Sequence, residues 1–245
     1  MYRFKISAME DLHFRITGEE LHHLVNVLRL APGGKVIGFD NSGGQWLGVI
    51  ETLDRESANC RIIEKNNPEV EARTKVFLVM GLSKGEKIEW VIQKGTELGM
   101  TGFIPLRTKR SVLQLEGKKA QERVVRWQRI AAEAVKQSRR VVEPTIMDIC
   151  DWNELKGRLP EETLWLIPHE DEQTFSLSNV LSGLTSEYPL AILIGPEGGF
   201  SAEEIELART KLKATTVSLG PRILRTETAA LAALTMVLTN FGDLG

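Results

Sequence analysis

Only two cysteines occur in 245 residues, Cys60 and Cys150, and neither has a CxxC or Cys/His neighbour. That spacing offers neither a zinc site nor a disulfide framework, so a reducing cytoplasm and no metal are expected. Histidine is equally scarce: His13, His22, His23 and His169 make no ligand pattern, and PHEDE at 168–172 reads as a solvated turn. No apolar run approaches the roughly 20 residues that span a bilayer. The opening MYRFKISAMEDLHF lacks the apolar core of a signal peptide, so no membrane and no export address are expected. Internal repeats and low-complexity tracts are missing, as are GxxxxGK[ST] and GxGxxG, which disfavours a triphosphate or an ordinary dinucleotide.

What is present is ordinary globular material, 42% hydrophobic and 26% charged, long enough for a full core and for two domains. The formal net charge of −2 hides a sorting along the chain. Residues 1–74 carry 9 Lys+Arg against 11 Asp+Glu, residues 75–150 carry 15 against 8, and residues 151–245 carry 7 against 14. Within the middle, Arg107 to Arg140 holds 11 basic and 3 acidic residues, a local field that attracts a polyanion even on a slightly acidic protein. A solvated helix face is the plainer reading of one such helix by itself.

Thr17 and Glu20 have the spacing of a capping box ahead of Leu21, Leu24, Val25 and Leu28, which fall on one helical face. That helix should stop near APGGK. KVIGFD, NSGG and QWLGVIE read as strand, turn and strand, and ANCRIIE as another strand, so residues 1–70 are expected to form a small β-barrel with one helix. KNNPEVEART, residues 65–74, has no apolar period and reads as the linker. From residue 75 to 245 apolar strands alternate with helical patterns: KVFLVMG, TGFIPL, PTIMDI, TLWLIP, LAILIG and TTVSLG, with helices read between them except between TLWLIP and LAILIG. Strands apolar throughout mean a mostly parallel sheet covered on both faces, an α/β domain.

Open parallel sheets bind ligands at the carboxyl ends of their strands, which directs attention to ILIGPEGG and VSLGPRILR. Both strands end in Gly-Pro. Gly195, Gly198 and Gly199 allow close backbone approach, while Pro196 and Pro221 stiffen the turns, making a rigid cradle of backbone groups. Glu197 precedes the helix that Ser201 and Glu204 would open as a capping box, where a carboxylate suits the helix dipole. Thr226 reads as the N-cap of ETAALAALTMVL, a helix apolar on nearly every side that calls for cover by sheet and by a neighbour, hence an expected homodimer.

LIGPEGGFSAEEIELA and SLGPRILRTETAALAAL together resemble the cofactor-binding signatures of the RsmE family, the ribosomal RNA small subunit methyltransferase E group of the SPOUT superfamily. GLSKGEKIEWVIQKGTELGMTGFIPL, RWQRIAAEAVKQSRR and HHLVNVLRL extend the likeness over nearly the whole chain. It implies a PUA-like RNA-binding barrel, a C-terminal domain with a trefoil knot, S-adenosyl-L-methionine as cofactor, and methylation of uridine N3 in 16S rRNA of the small ribosomal subunit. Knots are too rare for any argument but the resemblance to carry one. The same carry-over puts the cofactor on Leu193, Ile194, Gly195, Pro196, Glu197, Gly198 and Gly199, on Ser218, Leu219 and Gly220, and on Ile223, Leu224, Arg225 and Thr226. Two positions depart from the family pattern: Lys109 stands where an acid is expected and Arg139 where glycine is, both adding positive charge.

Methyl transfer from a sulfonium needs positioning and electrostatics more than covalent help. Removing the imide proton of uridine spreads charge onto O2 and O4, so a cation nearby and a carboxylate base are expected. Arg225 is the candidate cation, equally readable as a phosphate contact, and Glu227 and Glu197 are the candidate bases, both with capping explanations. The Watson–Crick edge reacts, so the base must be unpaired or turned out. The phosphate track is then expected from Arg107, Lys109, Arg110, Arg123, Arg126, Arg129, Arg139 and Arg140, extended by Arg3, Arg15 and Arg29. Ala120, Val124, Trp127, Ala131 and Ala134 would face inward on the basic helix. Two alternatives stay open: another SPOUT-type RNA methyltransferase, for example on a ribose hydroxyl, and a non-catalytic ribosome assembly factor.

Overall fold

The computed structural model describes residues 1–185 and 187–245. They divide into two compact units, Met1–Glu71 with Val135–Glu143, and Ala72–Ala134 with Pro144–Gly245. The break after Glu71 falls inside the expected linker, whose first two residues are still strand. The first unit also takes in 135–143, a segment that the sequence reading assigns to the second domain. Its cause is a long-range ion pair that no local pattern reveals. The Glu71 carboxylate accepts from Arg140 Nε at 2.9 Å and Nη2 at 2.7 Å, and from the Val141 and Val142 amides at 2.8 and 3.1 Å. Val135 and Val141 add an apolar contact by clustering with Phe39.

The first unit contains β1 (Arg3–Lys5), β2 (Ala8–Glu10), β3 (His13–Thr17), β4 (Lys35–Phe39), β5 (Gln45–Leu53) and β6 (Ser57–Asn66) in one sheet of order β1-β4-β5-β6-β3-β2. All neighbours are antiparallel except β1 and β4. The Ile6 amide donates to Phe39 O and the Ser7 amide to Arg15 O, at 2.9 and 2.8 Å. The chain after β1 therefore ties β4 to β3 and curls the sheet, as a small barrel requires. Phe14 fills its interior, lying so close to Gly48 that a Cβ there would stand 2.6 Å from the ring, which is why glycine occupies a strand position that it otherwise weakens. The helix forms as α1 (Gly18–His22) and widens into a π-turn over His23–Val27. The expected capping box is absent: Thr17 Oγ1 donates to Ser7 Oγ at 2.8 Å instead, and no side chain caps α1.

In the second unit β7 (Val76–Gly81), α2 (Lys87–Leu98), β8 (Gly102–Leu106), α3 (Gly117–Ser138), β9 (Thr145–Ile146), α4 (Trp152–Leu155), β10 (Leu164–Pro168), α5 (Leu177–Ser182), β11 (Leu190–Ile194), α6 (Ala202–Leu212), β12 (Thr215–Val217) and α7 (Thr226–Asn240) follow one another. The six strands run parallel in the order β12-β10-β11-β7-β8-β9. All five residues of β8 and of β11 are buried, as strands covered on both faces must be. One face packs Leu78, Ile192 and Leu166 against α2, α3 and α7; the other packs Val79, Ile104 and Leu193 against α6. Val124, Trp127, Ala131 and Ala134 of α3 are buried and Ala120 is partly so. The helix α7 buries Ala230, Ala233, Leu234, Val237 and Leu238, but its Leu231, Ala232, Thr235 and Met236 stripe stays half-exposed.

Candidate active site

Three loops meet where β10, β11 and β12 end. The first leaves β11 as Gly195-Pro196-Glu197-Gly198-Gly199. It folds into a turn closed by the Gly199 amide on Pro196 O at 2.9 Å, with Gly199 at φ 66°. Side chains are disfavoured on both sides: a Cβ on Gly195 would lie 3.0 Å from the Gly199 backbone, and one on Gly81 would lie 2.6 Å from the Pro196 ring and 2.8 Å from its nitrogen. The expected box at Ser201 forms, Ser201 N to Glu204 Oε2 at 2.8 Å and Glu204 N to Ser201 Oγ at 3.3 Å. Glu204 Oε1 also accepts from the Lys109 amide at 2.8 Å and Trp152 Nε1 at 3.0 Å, so the base of the loop is anchored in the core.

Glu197 does not serve α6 as the sequence reading has it. Its Oε1 accepts from Lys87 Nζ at 2.9 Å and the Lys84 amide at 3.2 Å, at the start of α2. Burial works against its charge, yet the bond from Lys87 and those from backbone N–H groups prevail and hold the Glu197 carboxyl below the usual carboxylate range. The second loop runs from Ser218 to Arg225, with Gly220 at φ 110° and Ile223 exposed. Arg225, not Thr226, stands at the N-cap of α7; Thr226 is the first helical residue, buried, and makes no capping bond. The third loop is Pro168-His169-Glu170, which the sequence reading takes for a solvated turn.

Together they enclose a cavity of about 470 Å³. Ile194, Gly195, Pro196, Glu197, Gly198, Gly199, Ile223, Leu224, Arg225 and Thr226 line it, joined by Lys87, Pro168, His169, Glu170 and Ala229. Leu219 and Gly220 line an adjoining recess of about 90 Å³ with the same Pro168, His169, Glu170 and Leu224. Leu193 is wholly buried in the core, and Ser218 pairs its backbone with Phe175 and Leu177; neither lines either space. A second cavity of about 670 Å³ shares Lys87 and Arg225 with the first, and adds Glu86, Glu89, Trp90, Gln93, Ile130, Glu227 and Thr228. Sequence reasoning missed Pro168, His169, Glu170 and Ala229, and also Lys87. Its position in the resemblance-bearing KGEK stretch was the available signal.

Many of the basic residues are engaged within their own units. Arg110 Nη1 donates to Gly198 O at 2.7 Å and Phe200 O at 3.3 Å, bracing the first loop. Arg123 and Arg126 grip the buried Glu89 at 2.9 and 2.7 Å, although Arg126 keeps 58% of its side chain exposed. Arg107 reaches Leu115 O at 3.3 Å and Asp151 at 3.5 Å, and Lys109 reaches Glu203 at 3.4 Å. In the first unit Arg140 is buried on Glu71, and Arg3 donates to Gln45 at 2.7 Å and Arg140 O at 3.1 Å. Arg15 bonds Asn59 at 3.1 Å on an exposed strand. Arg29, Arg129 and Arg139 are exposed. Burial pushes the Cys60 thiol up to about 12 and that of Cys150 to about 11, so neither is a thiolate at neutral pH. Among the described residues no acidic, His or Cys group could hold a metal, and no helix is long and apolar enough to cross a membrane.

Known proteins resemble this chain in sequence and fold. The family described as an RNA methyltransferase domain matches residues 70–238, and an RNA methyltransferase PUA domain matches residues 16–63. A Bacillus subtilis (strain 168) protein named Ribosomal RNA small subunit methyltransferase E is 40% identical over 228 residues, covering 91% of this chain and 89% of its own. The Synechocystis protein of that name is 34% identical over 223 residues, covering 91% and 71%. The crystal structure of a Ribosomal RNA small subunit methyltransferase E from Neisseria gonorrhoeae, bound to S-adenosyl methionine, matches with a TM-score of 0.85 at 28% identity, covering 98% of both chains.

Proposed function

Because the chain belongs to the RNA methyltransferase family whose members include Ribosomal RNA small subunit methyltransferase E, we propose that it methylates N3 of a uridine in 16S rRNA of the small ribosomal subunit, using S-adenosylmethionine. The observation that carries this reading is the 470 Å³ cavity at the carboxyl end of a parallel sheet. That size lies within the roughly 300–1,000 Å³ of small-molecule sites. S-adenosylmethionine, when bound, supplies a methyl group on positively charged sulfur. The cavity suits it: the 195–199 loop presents bare backbone at Gly195, Gly198 and Gly199, Ile194, Leu224 and Ala229 offer apolar wall, and the Glu170 and Glu197 carboxylates offer charge opposite to the ligand's cations.

The chain's own residues do the remaining work by position. Arg225 lines both cavities, so its guanidinium can offset charge that develops on the uracil carbonyls. Lys87 holds Glu197 and thereby ties the first loop to α2. Exposed arginines such as Arg126, Arg129 and Arg139 are the phosphate contacts of this reading. The half-exposed stripe of α7 supports a homodimer, which sedimentation at working concentration tests. The reading includes the SPOUT knot, supported by membership of the family, and a cytoplasmic location, supported by two free buried cysteines.

The deciding experiment is methyl transfer from labelled S-adenosylmethionine to unmodified small subunits, followed by nucleoside analysis. Label in 3-methyluridine is expected. Label in a ribose-methylated nucleoside would transfer the reading to a 2′-hydroxyl. Absence of both label and cofactor binding would leave an RNA-binding assembly factor.

A further inference from the structure

We infer that the 670 Å³ cavity between α2, Ile130 of α3 and the start of α7 receives the target base, with Trp90 as stacking platform and Glu227 as acceptor of the imide proton. This rests on the methyltransferase reading and adds to it where the base sits and which carboxylate meets it. Position argues first. The cavity shares Lys87 and Arg225 with the cofactor cavity, so whatever fills one abuts the other. Trp90 lies on its wall with 45% of its surface exposed, a large apolar face left to solvent. Unpaired bases stack on such faces.

Glu227 supplies the second observation. Its Oε2 is buried without a hydrogen-bond partner, and Lys87 Nζ stands 3.9 Å away. That lysine is already committed to Glu197 at 2.9 Å. A buried carboxylate oxygen left without a donor is costly unless a ligand supplies one. The two carboxylates that flank Lys87 thus differ in kind: Glu197 is hydrogen-bonded and held below the usual range, which makes it a poor proton acceptor, whereas Glu227 lines the cavity that would hold the base and keeps a carboxylate oxygen without a hydrogen-bond partner.

The uracil edge reads acceptor, donor, acceptor at O4, N3–H and O2. The carboxylate of Glu227 and the cations of Lys87 and Arg225, all on the wall of one cavity, supply the acceptor and the donors which that edge needs. Cytosine, whose N3 is an acceptor, would set two lone pairs face to face and leave the carboxylate unsatisfied. In the step itself the N3–H bond breaks and its proton passes to Glu227. The electron pair left on N3 forms the bond to the methyl carbon, and the carbon–sulfur pair returns to sulfur, which leaves as a neutral thioether.

The test compares wild type, Glu227→Gln, Trp90→Ala and Trp90→Phe in three measurements: turnover on unmodified small subunits, calorimetric S-adenosylmethionine affinity, and quenching of tryptophan fluorescence by oligouridylate and oligocytidylate. E227Q is expected to lower kcat about 10²- to 10⁴-fold, the range of a general base, with cofactor affinity within about threefold of wild type. Oligouridylate should quench wild type more than oligocytidylate does, E227Q should narrow that gap, and the excess quench should vanish in W90F. W90A should weaken oligouridylate binding, measured by calorimetry, about 5- to 150-fold, and W90F should restore most of it, which separates lost stacking from a disturbed fold. E227Q turning over within threefold of wild type would remove Glu227 from the chemistry. Equal quenching of wild type and W90F, or a change that grows with protein concentration without RNA, would remove the base from Trp90. A wild type that labels no subunit would overturn the methyltransferase reading and this pocket with it; an active wild type with an equally active E227Q overturns the pocket assignment alone.

Discussion

The glycine-proline loops and the basic run from Arg107 to Arg140 are both read from sequence as binding elements, yet they fare differently in the folded chain. The loops keep their backbone open on a cavity, whereas several basic side chains turn inward: Arg140 onto Glu71, Arg123 onto Glu89, Arg110 onto the carbonyls of Gly198 and Phe200. A site built from backbone is specified by residues adjacent in sequence, since Gly and Pro restrict their own torsions. A charge is specified by its partner, which can lie anywhere in the chain. Counting arginines therefore overstates how many are left for phosphate, and the two regions call for different perturbations.

The largest effect is expected where an arginine has been taken fully inside. Glu71→Ala removes the carboxylate that Arg140 meets at 2.7 Å, and breaking a buried ion pair by removing one partner costs about 3–5 kcal/mol; because the Glu71 side chain is 23% exposed, about 3 kcal/mol is the expected loss. Denaturant unfolding of the full chain measures it, and the loss should appear in the transition of the first unit. An unfolding curve unchanged by E71A would return Arg140 to the candidate phosphate contacts and erase much of the difference between the two regions. Next is the loop itself. Gly195→Ala places a methyl 3.0 Å from the Gly199 backbone, and overpacking of about 2 kcal/mol corresponds to roughly 30-fold weaker cofactor binding. Calorimetry decides, with circular dichroism to verify the fold.

Arg110 joins the two regions and so sharpens the contrast most. If it braces Gly198 rather than touching RNA, Arg110→Ala should weaken cofactor binding about fivefold to thirtyfold, as loss of a bond or two near 1 kcal/mol each would. Its RNA affinity should keep the wild-type salt slope. Arg126→Ala with Arg129→Ala should do the reverse, lowering the slope of log K against log salt by up to about 1 for each phosphate no longer neutralised and leaving the cofactor alone.

These same residues explain what could be read early. GPEGG, LGPR and the Ser201-Glu204 box were legible because each acts within a few residues of itself. The loop Pro168-His169-Glu170 was not, since its polar sequence looks like any solvated turn. It joins the site only because β10 lies between β12 and β11, an order that sequence spacing does not encode. Lys87 was hidden for a similar reason: one lysine in KGEK has no distinguishing neighbour until Glu197 and Glu227 arrive from more than 100 positions away. The missed cap at Thr17 shows local signals failing too, as its hydroxyl found Ser7 on the neighbouring chain segment before it found its own helix.

The smallest effect tests the long-range charge principle at the far end of the chain. Asp243 accepts from the amides of Arg73 at 2.8 Å and Thr74 at 2.9 Å, clasping the residues after α7 to the start of β7. Burial opposes its charge, but the bonds from the Thr74 and Arg73 groups outweigh that and hold its carboxyl below the ordinary value. A folded-state pKa lowered in this way contributes stability that is present above the unfolded value near 3.9 and is lost as pH falls through the folded one. Asp243→Asn should therefore cost about 1 kcal/mol at neutral pH, discounted for partial exposure, and the difference from wild type should shrink as pH drops below about 4. Urea titrations at a series of pH values measure both. A gap between the two proteins that persists unchanged into acid would mean that Asp243 acts by shape, with its charge irrelevant, and the distinction between charge-specified and backbone-specified elements would not extend to the C-terminal residues.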